Sequence, residues 1–190
     1  MFHLPSLARL AGLTPRAVAE IGVHGPEQCR PADYVGQCPT LLVEPLPDCA
    51  QRLREAYPLA IVVEKACANT EGTLPFYHRG QTSWLVGLPH TPALDVDHHQ
   101  VNPANIHPVE AILFSSIDPG NLDIVAIDTE GSEWFTLKHM ISRPKLLVIE
   151  THAPSWKYTN PYLAEITAWT KENGYTQVAQ EFADTLYARL

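Results

Sequence analysis

A chain of 190 residues with 45% hydrophobic and 18% charged side chains is long enough to bury a full core and too apolar to be disordered. Its formal net charge of −8 argues against wrapping nucleic acid through a broad positive field, so no nucleic-acid partner is expected. No apolar run approaches bilayer-spanning length, no export signal is visible, and Cys29, Cys38, Cys49 and Cys67 form no C-x-x-C pair; the expectation is a cytoplasmic protein with reduced thiols, no membrane partner and no zinc ribbon.

In chain order, residues 4–13 place Leu4, Leu7, Ala8 and Ala11 at helix spacing. Residues 17–21 are a short β-type run, stopped by Gly22-Val23-His24-Gly25-Pro26. A second run, residues 40–43, ends at Glu44-Pro45; residues 47–57 read as a helix with Cys49, Leu53 and Ala56 apolar; residues 59–63 are a third run, rich in β-branched side chains. This alternation predicts βαβ units and a parallel sheet. Residues 71–108, dense in Pro, Gly, His and Asn, read as a loop and hairpin insertion with β-like pieces at 73–77 and 84–87. Residues 109–117 read as a helix, Asp118-Pro119-Gly120-Asn121 as a turn, and residues 123–128 as a buried strand that ends on a carboxylate. Residues 133–140 read as helix, 145–149 as a strand ending at Glu150, and 161–173 as a helix closed by Gly174. Residues 175–178 and 185–188 complete the chain as two strands. The expected fold is one α/β domain over residues 1–190: a Rossmann-like, mostly parallel sheet with flanking helices and a C-terminal antiparallel hairpin.

Three features carry chemistry. Glycines three apart, Gly22 and Gly25, follow the first strand, where a nucleotide-binding βα unit brings its backbone close to the ligand; the pattern falls short of a full G-x-G-x-x-G, and a plain turn gives the same residues. Glu44 follows the second strand at about the 20-residue spacing of a ribose-binding carboxylate. The two together favour an adenosine ligand without choosing a reaction. Asp128-Thr129-Glu130-Gly131-Ser132-Glu133 clusters three carboxylates where a strand gives way to a helix. Glu133 there also suits a helix start, whereas Asp128 ends an apolar strand and would face the crevice at the carboxyl end of the sheet. His98, His99 and His107, with Asp95 and Asp97, lack the spacing of a metal motif and read as a solvated loop; Trp84 reads as a buried aromatic.

Ile127-Asp128-Thr129-Glu130-Gly131-Ser132-Glu133 resembles the I-D-x-E-G-x-E signature of FkbM-type methyltransferases. In order along the chain, Glu20-Ile21-Gly22-Val23-His24-Gly25 stands where that family has its cofactor-binding D-I-G-A-N-x-G, and Leu42-Val43-Glu44-Pro45 resembles its second-strand E-P motif. The strand ending at Glu150, Gly174-Tyr175 and residues 184–189 are similar to its later elements, so the resemblance spans residues 18–190. Glu20 for Asp, His24 for Asn and Pro26-Glu27 after Gly25 depart from the pattern. The resemblance implies methyl transfer from S-adenosylmethionine, usually to a hydroxyl oxygen, with a small-molecule or sugar acceptor. It implies cofactor contacts at Glu20, Gly22, Gly25 and Glu44. Asp128 and His152 are the candidate bases, and a divalent metal ion held by Asp128 is a further possibility. Two rivals share the fold: a nicotinamide-dependent oxidoreductase, which would lack its full glycine fingerprint, and a non-catalytic binding domain.

Overall fold

The computed structural model describes residues 2–153 and 157–189. Leu190, the last residue of the resembling span, lies outside them. In chain order the elements are α1 (Leu4–Leu10), β1 (Val18–Ile21), β2 (Thr40–Val43), α2 (Pro47–Ala56), β3 (Ile61–Val63), β4 (Ala66–Cys67), β5 (Gly72–Tyr77), β6 (Trp84–Leu85) and α3 (Pro92–Asp95). They continue with β7 (Ile106–Ile112), β8 (Ile124–Ile127), α4 (Glu133–Leu137), β9 (Leu146–Glu150), β10 (His152–Ala153), β11 (Tyr158–Thr159), α5 (Leu163–Glu172), β12 (Thr176–Glu181) and β13 (Asp184–Ala188).

Seven strands form the central sheet in the order β12-β13-β9-β8-β1-β2-β3. Its neighbours are parallel from β9 to β3, while β13 runs antiparallel to both β9 and β12. This is the expected Rossmann-like sheet with its C-terminal antiparallel pair. β1, β8 and β9 are buried along their whole length, and strands covered on both faces read as continuous apolar runs rather than alternating ones. On one face Leu137 of α4 and Ile166 of α5 pack against Ile21, Val43, Val125 and Ile149. On the other, Leu4 and Ala8 of α1 meet Val18, Ile124 and Val148, and Leu53 of α2 meets Leu42. Among the described residues no helix is long and apolar enough to cross a membrane.

Two features differ from the reading of the sequence. Residues 109–117 are not helical: 109–112 belong to β7, where Val109 and Ala111 are buried and Glu110 is exposed, followed by a 3₁₀ turn at Phe114–Ser116. The apolar spacing there fits both periods, and pairing with β5 over six residues selects the strand. Residues 71–108 are also more ordered than a loop. Their strands join a second sheet, β4-β7-β5-β6, separate from the central one. The link from β1 to β2 holds 3₁₀ turns at Pro26–Gln28 and Ala32–Tyr34, and Pro31 between them keeps the first from running on into the second.

Candidate active site

The carboxyl ends of β1, β2 and β8 supply Gly22, Glu44 and Asp128 to one cleft, which encloses about 490 Å³ counting the part open to solvent. The second sheet and the segments beside it form the facing wall through Lys65, Phe76, Gln81 and Leu85. A neighbouring cleft shares Gly22, His24 and Asp128 and adds Arg30.

Gly22 has φ +84°, and a Cβ there would sit 1.7 Å from the Asp128 carbonyl oxygen. Only glycine lets the turn after β1 and the turn after β8 lie directly against each other. Gly25 differs: its φ of −152° is extended backbone, and it lines neither cleft. Glu44 lines the cleft but is turned inward. Its Oε2 accepts the His24 N–H at 2.8 Å and its Oε1 accepts the Leu46 N–H at 2.9 Å. Burial pushes its carboxyl up to about 7, against the pull of those two amides. The same carboxylate therefore shapes the glycine turn and keeps lone pairs beyond those two amides.

Glu20 faces the α1–α2 side of β1 and is committed to Arg30. Arg30 donates Nη1 to Glu20 Oε1 at 3.0 Å and its backbone N–H to Oε2 at 2.8 Å. Burial pushes the Glu20 carboxyl up while the guanidinium pulls it back. Through Nη2 the same side chain reaches Asp128 Oδ2 at 2.9 Å and Asp184 at 3.3 Å. Arg30 thus ties β1, β8 and β13 together at their edge of the cleft. Nothing in its sequence neighbourhood marks it; the one available signal was a carboxylate in the middle of a buried strand, which calls for a counter-ion.

Asp128 keeps 28% of its side chain exposed and borders both clefts. The turn that follows it is held by Glu133, fully buried at the start of α4. Glu133 Oε1 accepts the Thr129 N–H at 2.7 Å, the Gly131 N–H at 3.1 Å and the Thr129 hydroxyl at 3.2 Å; Oε2 accepts the Asn160 side-chain amide. Glu150, at the end of β9, closes on the same spot. Carboxylate oxygens of Asp128, Glu133 and Glu150 all lie within 4.8 Å of one another. Burial, then the neighbouring acids, pushes Glu130 and Glu150 well above the ordinary carboxylate range.

His152 does not join this group. It is drawn into β10, where its ring meets the Thr151 hydroxyl at 3.2 Å and the Gln180 amide at 3.2 Å, and it lines neither cleft. His99 bonds the Tyr77 hydroxyl at 2.8 Å beside Trp84, which is buried and stacked on Tyr77. Among the described residues His98, His99 and His107 form no metal-ligating group.

A profile of the FkbM methyltransferase domain matches residues 18–176. The chain belongs to the FkbM methyltransferase family. S-adenosylmethionine-dependent methyl transfer is therefore its class of activity, rather than the hydride transfer that a glycine turn and a ribose carboxylate also allow. Among solved structures, a candidate caffeoyl-CoA O-methyltransferase from Staphylococcus aureus is similar at TM-score 0.55 and 10% identity, over 98% of this chain and 81% of that one. A TehB-like SAM-dependent methyltransferase from Corynebacterium glutamicum is similar at TM-score 0.50 and 7% identity, over 100% and 89%. At such identities the FkbM-family chain shares their fold, and nothing finer follows. No curated protein matches its sequence significantly.

Proposed function

We propose that this FkbM-family protein transfers the methyl group of S-adenosylmethionine to a hydroxyl oxygen of a small molecule or sugar, with Asp128 as the group that receives the acceptor's proton. The observation that carries the reading is the convergence of Gly22, Glu44 and Asp128 from three strand ends on one cleft. The adenosine would lie over Gly22 with its ribose on Glu44. That position brings the sulfonium toward Asp128, whose negative charge suits a cationic donor. The same acidic lining is unfavourable to a phosphate-rich acceptor, in keeping with the net charge of −8.

In the reaction the acceptor oxygen attacks the methyl carbon, the carbon–sulfur bond breaks with its electron pair going to sulfur, and the hydroxyl proton passes to Asp128. Arg30 occupies Oδ2 of that carboxylate, and among the described residues no donor reaches Oδ1. Oδ1 is thus the oxygen offered to the acceptor. The second sheet supplies the wall against which an acceptor would rest, and its removal of water from the cleft would strengthen these interactions.

A screen of hydroxylated sugars and small metabolites with methyl-labelled S-adenosylmethionine tests the reading. Asp128→Asn should lower turnover by about 10²-fold or more, the scale of a lost general base, while leaving S-adenosylhomocysteine affinity nearly unchanged. Wild-type turnover in Asp128→Asn would remove the catalytic role. Cofactor binding with no acceptor methylated would favour a non-catalytic binding domain instead.

A further inference from the structure

We propose that Asp128, Glu133 and Glu150 form a binding site for one divalent cation of the hard, oxygen-preferring kind. The starting point is the close approach of their carboxylate oxygens, all within 4.8 Å of one another, from three different elements of the fold. Acidic clusters are common at crevices, and closeness alone makes no site. Two further observations point to a ligand at this spot.

The first is the state of the Glu150 carboxylate. Glu150 is 8% exposed, and its Oε2 has no hydrogen-bond partner. A buried carboxylate oxygen without a partner, in the middle of an acidic cluster, calls for a ligand.

The second is charge. Arg30 pairs with Glu20, Asp128 and Asp184, and among the described residues no side-chain cation forms an ion pair with Glu130, Glu133 or Glu150. Buried carboxylates left uncompensated either keep protons or bind a cation.

The donors are all oxygen, which selects Mg²⁺, Mn²⁺ or Ca²⁺ over zinc or copper. Glu133 is already shaped by the Thr129 and Gly131 amides, so it offers a fixed ligand, while Asp128 and Glu150 have the freer oxygens. A cation on Oδ1 would occupy the oxygen that the methyl-transfer reading offers to the acceptor, so the two roles of Asp128 are alternatives at that atom. Cation binding itself does not depend on that reading.

The test is calorimetric titration of the full chain with Mn²⁺ alone, without cofactor, near neutral pH. The expected result is one Mn²⁺ per chain, competed by Mg²⁺. Glu150→Gln and Asp128→Asn should each weaken binding at least about tenfold, the scale of a perturbed metal shell. The surface variant Glu110→Gln should bind as wild type. Circular dichroism checks folding; if Glu150→Gln fails to fold, the more exposed Asp128→Asn decides. No Mn²⁺ binding up to on the order of 1 mM, the weak end of protein sites, would overturn the proposal. So would binding that Asp128→Asn leaves unchanged. S-adenosylhomocysteine titrated in chelator then separates this failure from failure of the methyl-transfer reading.

Discussion

Replacing Gly22 with alanine asks how tightly the turns after β1 and β8 are locked. The added Cβ would meet the Asp128 carbonyl oxygen at 1.7 Å and its carbonyl carbon at 2.8 Å, both backbone atoms with no side-chain freedom to yield. The residue would also have to hold φ +84°. A left-handed conformation costs an L-residue roughly 1–2 kcal/mol. Overpacking that must move backbone adds about 1–3 kcal/mol. Gly12→Ala is the matched control, because its φ is +62° and nothing lies within 4 Å of the new Cβ. Urea unfolding should show Gly12→Ala losing only the conformational part, while Gly22→Ala loses about 2–5 kcal/mol, a large share of a typical stability of about 5–15 kcal/mol. Because the Asp128 backbone must shift to make room, any folded Gly22→Ala protein should also turn over more slowly. Equal losses in the two variants would refute the close approach on which the site depends.

Arg30→Met should destabilise by about 3–5 kcal/mol, the cost of leaving a buried carboxylate without its partner, and by more above about pH 8, where Glu20 gives up its proton, than below it; urea melts on either side of that pH read this directly, and a pH-independent loss would contradict it. Global stability should fall as pH rises from about 5 to about 8. Glu44 and Glu133 are raised to about 7 by burial, so the folded state holds protons that the unfolded chain, with ordinary carboxyls, has already released. The sign is therefore loss of stability on the alkaline side, and each carboxyl contributes at most about 3 kcal/mol at 1.36 kcal/mol per pH unit. Stability that rises across that window would show these carboxyls to be ionised and paired in the folded protein.

The legible part of the fold was its buried scaffold. β1, β8 and β9 are covered on both faces, so their apolar runs announce them without help from the rest of the chain. Glu44 and Asp128 were legible for the same reason: each is the first polar residue after such a run. β7 was not, since its partner β5 lies far away in sequence and the local spacing fits a helix equally well. Arg30 was invisible because an irregular turn, with no period, carries it back beneath β1. His152 shows the limit of counting from a strand end. It stands two residues after Glu150, but pairing of β10 with β11 draws it toward Gln180 and away from the cleft. Glu133 does start α4, and it also holds the turn after Asp128 through Oε1 while Oε2 accepts the Asn160 amide.

The central claim is that an adenosine cofactor sits over Gly22 with its ribose on Glu44. Isothermal titration of the wild-type chain and of a folded Glu44→Ala variant with S-adenosylhomocysteine, and separately with NAD, tests it most directly. The expected result is one S-adenosylhomocysteine per chain, no measurable NAD binding, and an affinity loss in Glu44→Ala of about 1.5–3 kcal/mol, the worth of a hydrogen bond to a charged group. Equal affinity in the two proteins, or a preference for NAD, would contradict it.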